Sequence, residues 1–349
     1  VDGVPRNFQQ LDPNSIETFT ILKDAAAVAP YGVAGANGVV LVTTKKGQTG
    51  KPTITYNGYV GFQNPTVLPE YVNSVEYATL KNEIARSQGL KLPYNDEALR
   101  KFADGSDPDV YPTQNILDYV ISKNSPMTYH NLEMTGGTDR MKYYAGFGYL
   151  YQRGMWNTTY SNRYNINLNI EGKVSKYTTV SLNMNGRITS RHYPNSDQPA
   201  NATTRIIELM GYAQPERGPV VFSNGMYGSS VMPAIFESGY LKDRNNGIFT
   251  QLNVRQEIPF VRGLSLKGTI AYDPTFTSTK GWSIPMSIGK INTSVTPYEI
   301  TKSGFGTTKP NLYHNADQSE QFIYQAGFNY LKSFRNHNLS VLGLFEAKA

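Results

Sequence analysis

From Thr53 onward the chain alternates apolar and polar residues with a period of two, in segments of roughly ten residues each. The clearest segment puts Tyr160, Asn162, Tyr164, Ile166, Leu168 and Ile170 on one face. Ser161, Arg163, Asn165, Asn167, Asn169 and Glu171 fall on the other. Val180, Leu182, Met184 and Ile188 repeat it against Thr179, Ser181, Asn183, Asn185 and Arg187. Met141–Gln152, Ile248–Ile258, Leu264–Tyr272, Phe322–Tyr330, Thr53–Phe62, Thr128–Gly136 and Leu339–Phe345 complete about nine predicted strands. A period of two places successive side chains on opposite faces of a sheet, so a helical bundle is excluded. The chain is mostly β.

Tight turns fall at Gly136–Arg140, Glu171–Lys173, Pro259–Gly263 and Lys332–His337. They alternate with connections near 64–126, 153–159, 192–246 and 274–317, most of them long. Short turns on one rim and long loops on the other are the layout of an outer-membrane barrel. A soluble β-sandwich with insertions shares the alternation, which alone does not say which face is buried. Within the first long connection, Val72–Gly89 reads as an amphipathic helix capped by Asn73 or Ser74, and Asn95–Phe102 as a second short one.

Composition agrees. Of 349 residues 25 are Tyr and 31 Gly, and only 17% are charged. So many aromatics exclude a disordered chain. A mean hydropathy of −0.44 and the lack of an 18-residue apolar run exclude spanning helices but not spanning strands. With no cysteine there is neither a disulfide framework nor a thiolate site. The net charge of +6 comes from scattered Lys and Arg, so no nucleic-acid partner is expected.

The first fifty residues differ from the rest. Leu11–Glu17 reads as a turn into a short helix or strand, and Lys23–Ala29 as a short helix stopped by Pro30. A glycine-punctuated turn, Gly32–Gly38, leads into a buried strand, Val39–Thr44. The chain opens in mid-motif at Val1-Asp2-Gly3-Val4-Pro5, without methionine, and reads as a piece of something longer.

Chemistry-bearing motifs are sparse. Gly32, Gly35 and Gly38 have the wrong spacing and context for a dinucleotide loop. Asp104, Asp107 and Asp109 are a weak Ca²⁺ candidate; EF-hand spacing and its closing Glu are absent, so a solvated turn is the plainer reading. His130, His192, His314 and His337 are too dispersed for zinc, and no patterned nucleophile appears, so neither an enzyme nor a cofactor is expected. Loop aromatics (Tyr212, Phe222, Tyr227, Phe236, Tyr240, Trp282, Tyr298) could stack on a ligand, with Tyr227 and Trp282 the chosen candidates. Tyr149, Tyr151, Trp156 and Tyr160 fit an interfacial aromatic girdle.

Residues 1–50 resemble the plug of the SusC/RagA-like family of TonB-dependent outer-membrane transporters of Bacteroidetes. The motif residues are Asp2, Gly3, Lys23, Asp24, Tyr31, Gly32, Gly35, Asn37 and Gly38, within VDGVP, LDP, LKDAAA, YG, GANGVV and TKKG. The likeness continues through His130-Asn131-Leu132, Gly136-Gly137, Tyr143-Tyr144, Tyr149–Gly154, Asn165–Asn169 and His337–Ser340. Pro30 and Ala34 depart from it; an arginine commonly stands at the latter position, and its salt bridge would be missing. The resemblance implies a barrel of about 22 strands around an N-terminal α+β plug, present only as a fragment. It assigns 1–50 to the C-terminal part of the plug and 51–349 to the first part of the barrel, with long extracellular loops near 64–126, 192–246 and 274–317. It further implies TonB-driven import of an oligosaccharide or peptide across the outer membrane with a SusD-like surface lipoprotein, TonB acting through a segment outside this chain. A receptor or adhesin barrel that binds without importing, and a soluble carbohydrate-binding sandwich, are the alternatives.

Overall fold

The computed structural model describes residues 1–28, 31, 35–195, 202–211, 218–335 and 337–349. Its N-terminal unit opens with two 3-10 turns, Phe8–Gln10 and Pro13–Ser15. The Asn7 and Asp12 side chains cap them by accepting from the amides of Gln9 and Asn14. Strand β1 (Ile16–Leu22) and helix α1 (Ala25–Val28) follow, and β2 (Val39–Thr44) returns antiparallel to β1. Gly38 enters β2 at φ +92°, where a Cβ would sit 3.1 Å from the Leu22 carbonyl, so the turn requires glycine.

One antiparallel sheet forms most of the rest. Its strands are β3 (Gly50–Gln63), β4 (Ser125–Gly137), β5 (Met141–Arg153), β6 (Tyr160–Lys173), β7 (Thr178–Tyr193), β8 (Gly239–Glu257), β9 (Leu264–Tyr272) and β10 (Thr275–Ser283). β11 (Met286–Asn292) and β12 (Glu299–Phe305) pair as a separate hairpin. β13 (Asn311–Ser319), β14 (Phe322–Phe334) and β15 (His337–Lys348) complete the set. The continuous path runs β3-β4-β5-β6-β7-β8-β9-β14-β15. Those are the nine strands that alternation predicts.

The connection at 274–317 is not loop throughout. β9 and β10 lie end to end along one edge of β8, Tyr272 opposite Thr250 and Thr275 opposite Gly247, interrupted only at Asp273-Pro274. β13 and β14 continue one another in the same way, beside β10 and β9. Alternation misses β13 because Asn311–Ser319 is exposed on both faces apart from a half-buried Tyr313 and needs no apolar side.

Which face is buried separates the two β readings. Leu132, Phe147 and Ile166 stand opposite one another across β4, β5 and β6, and are 46–49% exposed. Their neighbours on the other face, Asn131 and Asn165, are 1% exposed, and Asn167, Asn169, Asn183, Gln251 and Thr269 are buried too. A soluble sandwich buries its apolar face; this sheet presents that face outward and covers the polar one.

The long connections gather at one end of the sheet. Helices α2 (Ser74–Ser87), α3 (Asp96–Asp104) and α4 (Ile116–Val120) lie between β3 and β4, and α5 (Ala202–Gly211) and α6 (Val231–Phe236) between β7 and β8. Asn73 and Glu76 form the capping box of α2. Ile116, Val120, Trp156, Ile206, Val231 and Ile235 share a buried core with their neighbours. Trp156, 2% exposed, therefore belongs to this cap and not to the expected girdle. Tyr149, Tyr151 and Tyr160 do lie in outward aromatic rows. Tyr56, His130, Tyr149 and Tyr164 lie in sequence with ring centres 5.0–6.4 Å apart, and Tyr151, Tyr160, His192 and Tyr240 at 4.9–6.4 Å, stacked or tilted against one another.

Candidate functional site

The N-terminal unit covers the polar face of the sheet, and their contact is densely hydrogen-bonded. Arg6 is its anchor. Its Nε and Nη2 donate to the two oxygens of Asp273 at 2.7 Å, Nη1 donates to Gln251 Oε1 at 3.1 Å and Nη2 to the Thr250 carbonyl at 3.0 Å. The Arg6 and Asp273 side chains are 1% and 7% exposed, and the guanidinium also lies 5.3 Å from the Phe249 ring centre. A bidentate, fully enclosed pair of this kind fixes orientation as well as energy. Asp273 is the residue at which β9 breaks from β10, so the irregularity aims its carboxylate at the N-terminal unit.

A second cluster centres on Asp12. Its carboxylate accepts from the Tyr129 hydroxyl at 3.0 Å and from Asn165 Nδ2 at 2.8 Å. Gly148 allows the approach: a Cβ there would lie 2.5 Å from Asp12 Oδ2. Lys45 pairs with Glu133 at 2.9 Å. Gln325 and Gln251 donate to the carbonyls of Gly3 and Asp2, and Arg187 to that of Gln9. Among the described residues two small apolar patches contribute, Val1, Leu11, Val42 and Phe249 in one, and Val4, Ala271 and Ile323 in the other. Such an interface is specific without being a continuous core.

Of the plug-motif residues, Asp2 accepts from the Thr44 amide and hydroxyl, holding the start of the chain against the end of β2. Gly3 offers its carbonyl to the sheet, and Gly35 is buried in the turn where Gly38 is required. Lys23, Tyr31 and Asn37 are exposed, while the Asp24 carbonyl receives the amides of Ala27 and Val28. Gly32, with Pro30, Ala34 and Tyr212, lies outside the described residues.

Asp104, Asp107 and Asp109 are engaged separately. Asp104 accepts from the Ser106 amide, and hydrogen bonding by Ser106 holds its carboxyl below the ordinary value. Asp107 lies 3.9 Å from Lys101. Asp109, 2% exposed, accepts from the amide and hydroxyl of Ser223 and from the Tyr298 hydroxyl, tying three connections together. No group of three or more His, Asp or Glu suited to a metal occurs among the described residues. Tyr227 packs against the cap core, and Trp282 stands opposite Tyr240 on the outward face of β10.

Sequence reasoning missed Arg6 and Asp273. They are 267 residues apart, and nothing in either local pattern marks them as a pair.

No family model matches the chain. Among curated proteins it is 26% identical over 340 residues to TonB-dependent receptor P3 of Formosa agariphila, covering 95% of this chain and 30% of that protein. It is 29% identical over 171 residues to TonB-dependent receptor SusC of Bacteroides thetaiotaomicron, covering 49% and 15%. The structure of the RagAB peptide transporter matches 97% of the chain and 40% of its own with a TM-score of 0.71 at 19% identity, a likeness of fold.

The chain is SusC/RagA-like. It spans less than a third of the length of the curated relatives it matches. Those relatives are named as TonB-dependent receptors, and the antiparallel β architecture of the SusC/RagA-like chain here is shared with the RagAB structure.

Proposed function

We propose that this SusC/RagA-like chain is part of a TonB-dependent importer of the bacterial outer membrane. In this reading residues 1–50 are the C-terminal part of the plug and residues 51–349 the first part of the wall of a plugged barrel of about 22 strands. The carrying observation is the inverted sheet, apolar outside and polar against the N-terminal unit. Leu132, Phe147, Ile166, Ile248, Leu252, Ile270, Tyr324 and Phe328 are each at least 42% exposed. Removing these half-exposed side chains from water is worth about 1 kcal/mol each, on the order of 10 kcal/mol together, as much as the net stability of a domain. A lipid environment supplies that term, and the outward tyrosine and histidine rows suit its interface.

The polar plug contact supports the import reading. It is held by discrete ion pairs and hydrogen bonds, which a pulling force can break one after another. TonB would supply the force through a segment outside this chain. A SusD-like surface lipoprotein would present an oligosaccharide or peptide at the cap formed by the long connections. Ligand stacking by Tyr227 and Trp282 has less support, since one packs in the cap and the other faces outward. The test is uptake by cells carrying the full-length protein. The reading expects accumulation that vanishes when TonB is deleted while surface binding persists. Uptake independent of TonB, or binding with no uptake in either strain, would replace it with a passive channel or a receptor.

A further inference from the structure

The polar face of the sheet holds a pocket of about 380 Å³ just beyond the N-terminal unit, on the side of the long connections. Its charge is one-sided. Arg163 on β6, Arg187 and Arg191 on β7, and Arg153 at the end of β5 all line it, with Gln152 and Thr189; no Asp or Glu does. The register explains the convergence. Asn165 stands opposite Arg187, Arg163 opposite Thr189, and Ser161 opposite Arg191. Arg187, Thr189 and Arg191 thus follow one another on the inward face of β7, and Arg163 reaches across between the two arginines as their diagonal neighbour.

These cations are poorly matched by the protein. Arg191 meets Asp243 at 3.4 Å in a partly exposed pair, and Arg187 spends one nitrogen on the Gln9 carbonyl at 3.1 Å. Arg163 has no hydrogen-bond or ion-pair partner among the described residues, and the Nε groups of Arg163 and Arg187 are buried without an acceptor. Asp12, the buried carboxylate bonded to Asn165 opposite Arg187, is already held by Tyr129, Asn165 and its own turn. Buried donors without acceptors are costly in a folded chain, and a guanidinium fork matches a planar carboxylate in two parallel bonds.

We propose that this arginine pocket is a binding site for a carboxylate group on the imported oligomer. The inference rests on the import reading and deepens it to a substrate class: an acidic oligomer, which the pocket would hold directly above the plug. Two sources share that chemistry, the uronate groups of an acidic oligosaccharide and the C-terminal carboxylate of a peptide.

The test uses the full-length transporter purified in detergent and titrated calorimetrically with matched probes. One pair is tetragalacturonate and its fully methyl-esterified form; the other is N-acetyl-tetra-alanine and its C-terminal amide. The expected result is that at least one acid binds tenfold or more tightly than its neutral partner, and the responding pair names the source. In the Arg163→Gln/Arg187→Gln double variant that ratio falls to about one, and neutral-probe binding that remains measurable reports intact folding. Arg163→Lys keeps the charge but loses the fork and retains only part of the preference; Arg100→Gln, on α3, retains all of it. Absence of acid preference or of binding in both pairs, or a preference surviving the double variant, overturns the proposal. Those outcomes leave TonB-dependent uptake untouched, whereas loss of TonB dependence would sink the import reading and leave the binding result standing.

Discussion

Replacing Arg6 by methionine keeps the aliphatic stem and removes the guanidinium from an enclosed pair. Asp273, 7% exposed, then loses both 2.7 Å contacts, and Gln251 and the Thr250 carbonyl each lose a donor. Breaking a buried pair from one side typically costs about 3–5 kcal/mol, because the remaining charge stays out of water. Arg6 joins the N-terminal unit to the sheet, so the cost falls on opening that contact more than on the sheet itself. At about 1.36 kcal/mol per tenfold change, amide hydrogen exchange should accelerate by about two to nearly four decades where protection depends on docking. The amides to follow are Asp2, bonded to Val42, and Leu11 and Ser15, bonded within the 3-10 turns. Leu99 in α3, bonded to Asn95, is the control and should not change. The measurement is made on the full-length protein by mass spectrometry, comparing wild type, Arg6→Met, Asp273→Asn and the double variant. The double variant should recover part of the loss, since neither charge is then stranded. An acceleration below about twofold in Arg6→Met, or an equal change in α3, would refute the idea that this pair locks the N-terminal unit to the wall.

Other consequences follow from the cap. Trp156→Ala should destabilise the packed connections by about 3–5 kcal/mol, seen as faster exchange in α4 and α6 with the strands of the sheet unchanged. Burial, and then the charge and hydrogen bond of Asp109, hold the Tyr298 hydroxyl above its ordinary value of 10.0. A group raised in the folded state contributes fully below the unfolded value and loses that contribution as pH rises through the folded one. The β11–β12 hairpin should therefore stay docked to pH 10 and loosen above it, as read by limited proteolysis; Tyr298→Phe should be loosened already at neutral pH and show no such step.

Much of the fold is legible in the sequence. Nine runs of period two become the nine strands of the continuous sheet, and Asn73 caps its helix where the capping pattern puts it. Resolving the two faces needs the third dimension: Ile166 and Asn165 alternate identically whichever is outside, and only packing by Asp12 shows that Asn165 is inside. β13 escapes pattern reading because a strand wetted on both faces carries no alternation, and β10 because Ser278 and Lys280 interrupt its outward face between Phe276 and Trp282. Trp156 reads as interfacial from its place beside a strand end, yet the connections fold over it. The arginine pocket was half visible, since Arg163 and Arg187 sit on the polar faces of their strands, but only the register brings them to one place.

The account turns on which face of the sheet meets lipid. This chain has no cysteine; with any cysteine elsewhere in the full-length protein replaced by serine, single cysteines are placed at Asn165, Ile166, Asn167, Leu168, Asn169 and Ile170, spin-labelled and measured in native outer-membrane vesicles. The account predicts a period of two: relaxation by lipid-soluble oxygen at Ile166, Leu168 and Ile170, and little at the three asparagines. Relaxation of the apolar positions by a water-soluble nickel reagent, with no response to oxygen, would place that face in water and contradict the membrane wall.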